Sequence, residues 1–152
     1  MANYKIHSTF NLCLALPLLV TGIYYIFHPA RDFLLTFIAA FGYSTLFMNP
    51  DLDLANKIKL VSIRGFLTLP FRSYSLIFRH RGISHSLFFG SATRILWLTG
   101  IGALIFYLLY KTLPSEKALS TLYYSYKYYL FYAFAGICLA DWSHLLLDLK
   151  KA

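Results

Sequence analysis

Long uncharged apolar stretches limit what this chain can fold into. Between Lys5 and Arg31 there is no aspartate, glutamate, lysine or arginine, and residues 10–27 read "FNLCLALPLLVTGIYYIF". About 20 apolar residues are enough for an α-helix to cross the hydrocarbon core of a bilayer. Of all 152 residues, 59% are hydrophobic and only 13% are charged, which is too apolar for a soluble domain. The sequence therefore predicts an integral membrane protein.

Four stretches of this kind are present, and we predict one all-α membrane domain over residues 1–152, a bundle of four transmembrane helices. The second stretch has only 16 clearly apolar residues, so it has to be short, barely tilted or flanked by a locally thinned bilayer. The fourth carries six tyrosines and Lys127 at one end, as is typical of an aromatic belt at a membrane interface. The predicted spans cover about residues 9–27, 33–49, 85–110 and 121–147.

Basic residues concentrate between the second and third spans. Residues 49–86 hold six lysines and arginines, whereas the other two connections hold fewer, each beside an acid. Cytoplasmic loops carry such an excess, so we expect this loop to be cytoplasmic, and four spans then place both termini on the same side. The formal net charge of +8 needs no nucleic-acid partner, because topology and anionic lipid explain it.

The first stretch has one alternative interpretation, since a lysine before an apolar core is also found in signal peptides. This stretch is longer than the apolar region of a signal peptide, and "FHPARDF" offers no clear small-residue cleavage site. We therefore favour a retained transmembrane helix.

Most acidic and imidazole side chains fall at the cytoplasmic ends of the predicted spans. "NPDLD" follows the second span, "HRGISH" precedes the third and "DWSHLLLD" ends the fourth. If the fourth helix continues through its motif, Asp141, His144 and Asp148 share one face. Ionisable groups concentrated against a membrane indicate a functional site. The residues expected to converge are His7, Asp51, Asp53, His80, His85, Asp141, His144 and Asp148.

These side chains are typical of a metal site. Imidazoles and carboxylates are ligands for zinc, manganese and iron, and carboxylates also suit magnesium. Six or seven such groups exceed one tetrahedral shell, so we expect two divalent ions. For a single residue such as His7, a cap, a solvated interface position or an ion pair is an equally good interpretation.

The blocks "NPDLD", "HRGISH" and "HLLLD", in this order and after a histidine near the start, resemble an uncharacterised bacterial family of metal-binding membrane proteins. That family is itself similar to small inner-membrane proteins described as metal-dependent hydrolases. The resemblance covers His7 to Asp148, and "HRGISHSLFFGSATRILWL" is its most specific block. It implies a multi-pass protein of the bacterial inner membrane. It also implies metal ligation by His7, Asp51, Asp53, His80, His85, His144 and Asp148.

We accordingly predict a metal-dependent hydrolase of an ester or phosphoester. A phospholipid or lipid-linked phosphate is the expected substrate, because the site would lie at headgroup depth. The candidate catalytic side chains are Asp141, Arg81 and Arg94. Asp141 would orient His144 or move a proton, and Arg81 would bind an anionic group. Arg94, inside the third span, would either snorkel to the interface or hold an anionic substrate group.

Two other classes of function remain at this stage. A metal-binding scaffold or sensor is compatible with every feature of the sequence. A metal transporter is disfavoured, because the second and third spans hold no acid or histidine between their ends. The sequence leaves the oligomeric state open.

Overall fold

A computed structural model describes residues 4–48, 62–77 and 89–149 of the chain. Within these residues every regular element is helical and there is no strand, which confirms the prediction of an all-α fold for this part. The helices are α1 (Tyr4–Phe10), a π segment (Asn11–Ala15), α2 (Leu16–Phe27), α3 (Arg31–Phe47), α4 (Ile63–Leu67), α5 (Pro70–Ile77), α6 (Phe89–Tyr110) and α7 (Glu116–Leu149).

Local signals explain where the helices end and begin. The continuous helix of α1, the π segment and α2 stops at His28, which adopts a left-handed conformation with φ 43° and is followed by Pro29. The last helix begins at Glu116 rather than near residue 121. Its start is capped by Ser115, whose hydroxyl accepts a hydrogen bond from the backbone N–H of Ala118.

Among the residues that the structure describes, three helices are long and apolar enough to cross a membrane. They are Ile6–Phe27, Phe89–Tyr110 and Glu116–Leu147. Large apolar side chains along them, such as Leu18, Leu96 and Leu109, are exposed, and exposed apolar surface of this kind suits contact with lipid. The second predicted span corresponds to α3, whose 17 residues extend about 26 Å, less than the ~30 Å of a hydrocarbon core.

Contacts between the helices show which of their ends lie together. The side chain of Asn11 donates hydrogen bonds to Thr45 Oγ1 near the end of α3 (3.3 Å) and to the carbonyl oxygen of Ala140 in α7 (2.9 Å). Near the start of α3, the ring of Phe33 stacks on Tyr132 of α7 with centroids 5.6 Å apart. Consequently α3 runs antiparallel to α2 and parallel to α7. The beginning of the first helix meets the end of the last.

The backbones of α3 and α7 approach closely at Gly136. A Cβ atom there would lie 2.7 Å from the carbonyl oxygen of Phe37 and 3.1 Å from the Cβ of Ala40. Small residues permit this kind of helix contact. Next to it, Phe37, Phe41 and Ala140 form a buried cluster. The apolar side chains of α2 that pack against this cluster are Leu16, Leu19, Val20 and Ile23.

A second buried cluster holds α5 against α6. It contains Phe71 and Tyr74 of α5 together with Met48 at the end of α3. The indole N–H of Trp97 in α6 donates a hydrogen bond to the carbonyl oxygen of Pro70 (2.9 Å). The short helix α5 is thereby placed at the end of the structure where α3 stops and α6 starts.

Candidate metal centre

Buried polar side chains concentrate where the start of the first helix meets the ends of α3 and α7 and the start of α6. Polar groups withdrawn from water need hydrogen-bond partners or a ligand, so a cluster of them in an otherwise apolar chain indicates a site. The cluster includes His7, Asn11, Ser44, Thr45, Ser91, Arg94, Asp141 and His144.

Two of the predicted metal ligands are in direct contact within this cluster. His7 and His144 are 2% and 3% exposed, and their rings stack with centroids 4.1 Å apart and planes inclined at 20°. One residue comes from the first helix and the other from the last. The folded chain therefore brings together, from its two extremities, the two predicted ligands whose side chains the structure describes.

The stacked arrangement limits how the two imidazoles can bind metal. The lone pair of an imidazole nitrogen lies in the plane of its ring, and a metal–nitrogen bond is about 2.0–2.1 Å long for zinc. The planes of the two rings are nearly parallel and stand one above the other. While the rings stay stacked in this way, their in-plane lone pairs do not converge on one position at bonding distance.

Asp141 lies in the same cluster, but its hydrogen-bond partners differ from the predicted one, His144. Its Oδ1 accepts hydrogen bonds from Arg94 Nη1 (3.0 Å) and from the hydroxyl of Ser44 (3.3 Å), and its Oδ2 accepts one from Ser91. No hydrogen bond joins Asp141 to His144 in the described structure. A cationic donor binds a carboxylate more strongly than a neutral one, which explains the preference for Arg94.

Arg94 is buried rather than extended toward the membrane surface. Its side chain is 1% exposed and forms an ion pair with Asp141 at 3.0 Å. Its guanidinium also donates to the carbonyl oxygens of Gly90 (3.0 Å) and of Met48, just past the end of α3, where the helix dipole favours a cation. The snorkelling interpretation is therefore wrong, and Arg94 instead connects α3, α6 and α7.

The remaining predicted site residues are not placed by these contacts. Asp148 belongs to α7, one turn after His144, but its side chain is outside what the structure describes. Across residues 4–48, 62–77 and 89–149, the described side chains do not by themselves form a metal-binding group of three or more His, Cys, Asp or Glu. The predicted residues that lie wholly outside these ranges are Asp51, Asp53, His80, Arg81 and His85.

Sequence reasoning overlooked four polar residues of the cluster, Asn11, Ser44, Thr45 and Ser91. Ser44 and Ser91 bind Asp141, and Asn11 joins α3 to α7. A signal was available only for Asn11, which lies four residues after His7 in an apolar stretch and so shares its helix face. The two serines are ordinary small residues in their helices until the pairing of the helices is known.

The donor chemistry of the cluster fits a divalent cation, because buried imidazoles together with nearby oxygen donors are the groups that such ions prefer. No curated protein and no solved structure matches the chain. A family model described as "Uncharacterized metal-binding protein (DUF2227)" matches residues 3–152. That match spans almost the whole chain, and the protein belongs to this family of uncharacterised metal-binding proteins.

Proposed function

We propose that the protein is a metal-dependent hydrolase of the bacterial inner membrane, with a two-ion centre at the cytoplasmic end of a four-helix bundle. The observation that carries this proposal is the buried contact between His7 and His144 in a chain of a metal-binding family. Imidazoles held between helices whose outer surfaces are apolar are well suited to hold a metal ion at a membrane surface.

In this proposal α3 also crosses the membrane, as the second span in chain order, and brings the number of spans to four. It starts beside Tyr132 and ends beside Asn11, so it covers the depth between these two residues. An odd number of crossings would also put the two ends of the chain on opposite sides of the membrane, whereas His7 and His144 are in contact. The bilayer can thin locally to match so short a helix.

Two ions account for the stacked histidines better than one. Since the two rings do not point at a common position, each would ligate a different ion. Zinc, manganese, iron and magnesium all suit a site of imidazoles and carboxylates. The proposed ligands are His7, Asp51, Asp53, His80, His85, His144 and Asp148.

The chain supplies groups for binding and for positioning. Divalent cations held at the site supply Lewis acidity, which polarises an ester or phosphoester and lowers the pKa of water. Arg81 would bind the anionic group of a phospholipid or lipid-linked phosphate. Arg94 and Asp141 are occupied with one another, so we assign them the positioning of α6 and α7 rather than contact with substrate.

Hydrolysis by purified protein tests this function. The protein, in detergent or in vesicles with zinc, manganese or magnesium, would be given aryl phosphate esters, carboxylic esters and phosphatidic acid. We expect turnover that a chelator abolishes and that His85→Ala abolishes. His28→Ala is the matched control and keeps turnover, because His28 is exposed at the far end of α2. Metal-loaded protein without turnover on this panel would contradict a hydrolase and favour a metal-binding scaffold or sensor.

A further inference from the structure

Asn11 is a polar residue of the buried cluster that the proposed metal centre does not yet use. It is 1% exposed and lies one helical turn after His7. Helical residues four apart share a face, and Cα–Cβ bonds tilt toward the helix N-terminus, so the side chain of Asn11 leans toward the turn of His7. Two residues at this spacing are also suited to chelate one ion.

Hydrogen bonds fix the orientation of the Asn11 amide. The backbone oxygen of Ala140 can only accept a hydrogen bond, so the amide atom 2.9 Å from it has to be the Nδ2 donor. Nδ2 also donates to Thr45 Oγ1. The Oδ1 atom consequently faces away from both. It is buried and has no hydrogen-bond partner among the described residues, which is costly for a carbonyl oxygen.

The backbone is irregular at the same residue. The π segment begins at Asn11, whose carbonyl oxygen accepts a hydrogen bond from the N–H of Leu16, five residues later. Single π turns inside α-helices are frequent at functional sites. A backbone irregularity and a buried side-chain oxygen without a partner thus coincide one turn from His7.

We propose that Asn11 Oδ1 ligates the same ion as His7. This inference rests on the metal centre of the proposed function. Amide carbonyl oxygens are neutral, hard ligands for cations such as magnesium and manganese, and they complement an imidazole nitrogen. His144 does not share an ion with His7 in the stacked arrangement, so the ion at His7 needs donors from elsewhere, and Asn11 supplies an oxygen one turn along the same helix face.

Metal titration of the full-length protein in detergent tests the role of Asn11. Binding of manganese and of zinc would be measured by equilibrium dialysis with elemental analysis. We expect Asn11→Ala to weaken binding by at least about tenfold. Asn11→Leu removes the oxygen at nearly constant side-chain volume and should weaken binding as much as Asn11→Ala does. Thr45→Val is the matched control. It removes an acceptor of Nδ2, leaves Oδ1 in place and should leave the affinity unchanged.

The outcomes separate this inference from the proposed function. Unchanged affinity in Asn11→Ala, or an equal loss in Thr45→Val, would overturn the assignment of Asn11 as a ligand. Where Asn11→Ala does not fold, unchanged affinity in Asn11→Leu would overturn it as well. If His7→Ala loses metal while Asn11→Ala keeps it, only the Asn11 inference fails. If the wild-type protein binds neither metal, the metal centre itself fails.

Discussion

At the scale of single residues, the buried ion pair of Arg94 and Asp141 joins α6 to α7. Both side chains are almost completely buried, and the guanidinium also binds the carbonyl oxygens of Gly90 and Met48. Removing one member of such a pair leaves a buried charge without compensation and costs about 3–5 kcal/mol, whereas replacing both members by apolar residues is often neutral.

We therefore predict that Arg94→Met lowers the free energy of unfolding by about 3–5 kcal/mol. The double variant Arg94→Met with Asp141→Leu should lose less than the two single variants added together, because it leaves no unpaired charge. Denaturant unfolding in detergent, followed by circular dichroism, measures these differences. Strictly additive losses would contradict a direct coupling between the two side chains.

The partners of individual residues were only partly predictable. Helical spacing correctly places Asp141 and His144 on one face of α7, and both are buried. The sequence does not reveal that the carboxylate turns to Arg94 rather than to His144, because that choice depends on how α6 packs against α7. The stacking of His7 on His144 likewise depends on the register of two helices from opposite ends of the chain.

At the scale of helices, the close approach of α3 to α7 depends on Gly136. A Cβ atom there would lie 2.7 Å from the carbonyl oxygen of Phe37, which belongs to a helix backbone and cannot move freely. We predict that Gly136→Ala destabilises the protein by about 1–3 kcal/mol, as overpacking typically does. Thermal unfolding in detergent measures the change.

Gly42 in α3 is the control for this prediction. A Cβ atom at Gly42 meets nothing within 4 Å, so Gly42→Ala should be neutral or gain up to about 1 kcal/mol from helix propensity. Equal destabilisation by both substitutions would contradict close packing at Gly136 as the cause of the loss.

The helices themselves were predicted better than their irregularities. Uncharged apolar length located the four long helices of the described residues, but the start of α7 was predicted near residue 121 although Ser115 after Pro114 is a recognisable start signal. The π segment at Asn11 was not predictable, because a shift from i+4 to i+5 hydrogen bonding leaves no simple pattern in the sequence.

At the scale of the whole molecule, the proposed topology places both termini and the loop over residues 49–86 in the cytoplasm. We predict that a single cysteine at Lys57 reacts only with reagents that cross the membrane, whereas one at Ser115 reacts with impermeant reagents from outside. The background would lack Cys13 and Cys138, the two natural cysteines. Labelling of position 57 from outside would invert the topology and move the metal centre to the other face.

The sequence predicts that the start of the first helix and the end of the last helix lie together, because four spans would return the C-terminus to the side of the N-terminus. The contact of His7 with His144 agrees with that reasoning. The sequence alone does not determine the number of bound ions or the reaction. They depend on the relative positions of His80, His85 and the acids of "NPDLD", which are separated in sequence from both histidines and lie outside the described residues.

The metal content of the purified protein tests the central claim most directly. Elemental analysis should find bound divalent metal in the wild type. His7→Ala and His144→Ala should each lose most of it, because each removes a buried imidazole ligand. His28→Ala should keep it, since His28 is exposed at the opposite end of the first helix. Wild-type protein without metal, or an equal loss of metal in His28→Ala, would contradict a metal centre built on the stacked histidines.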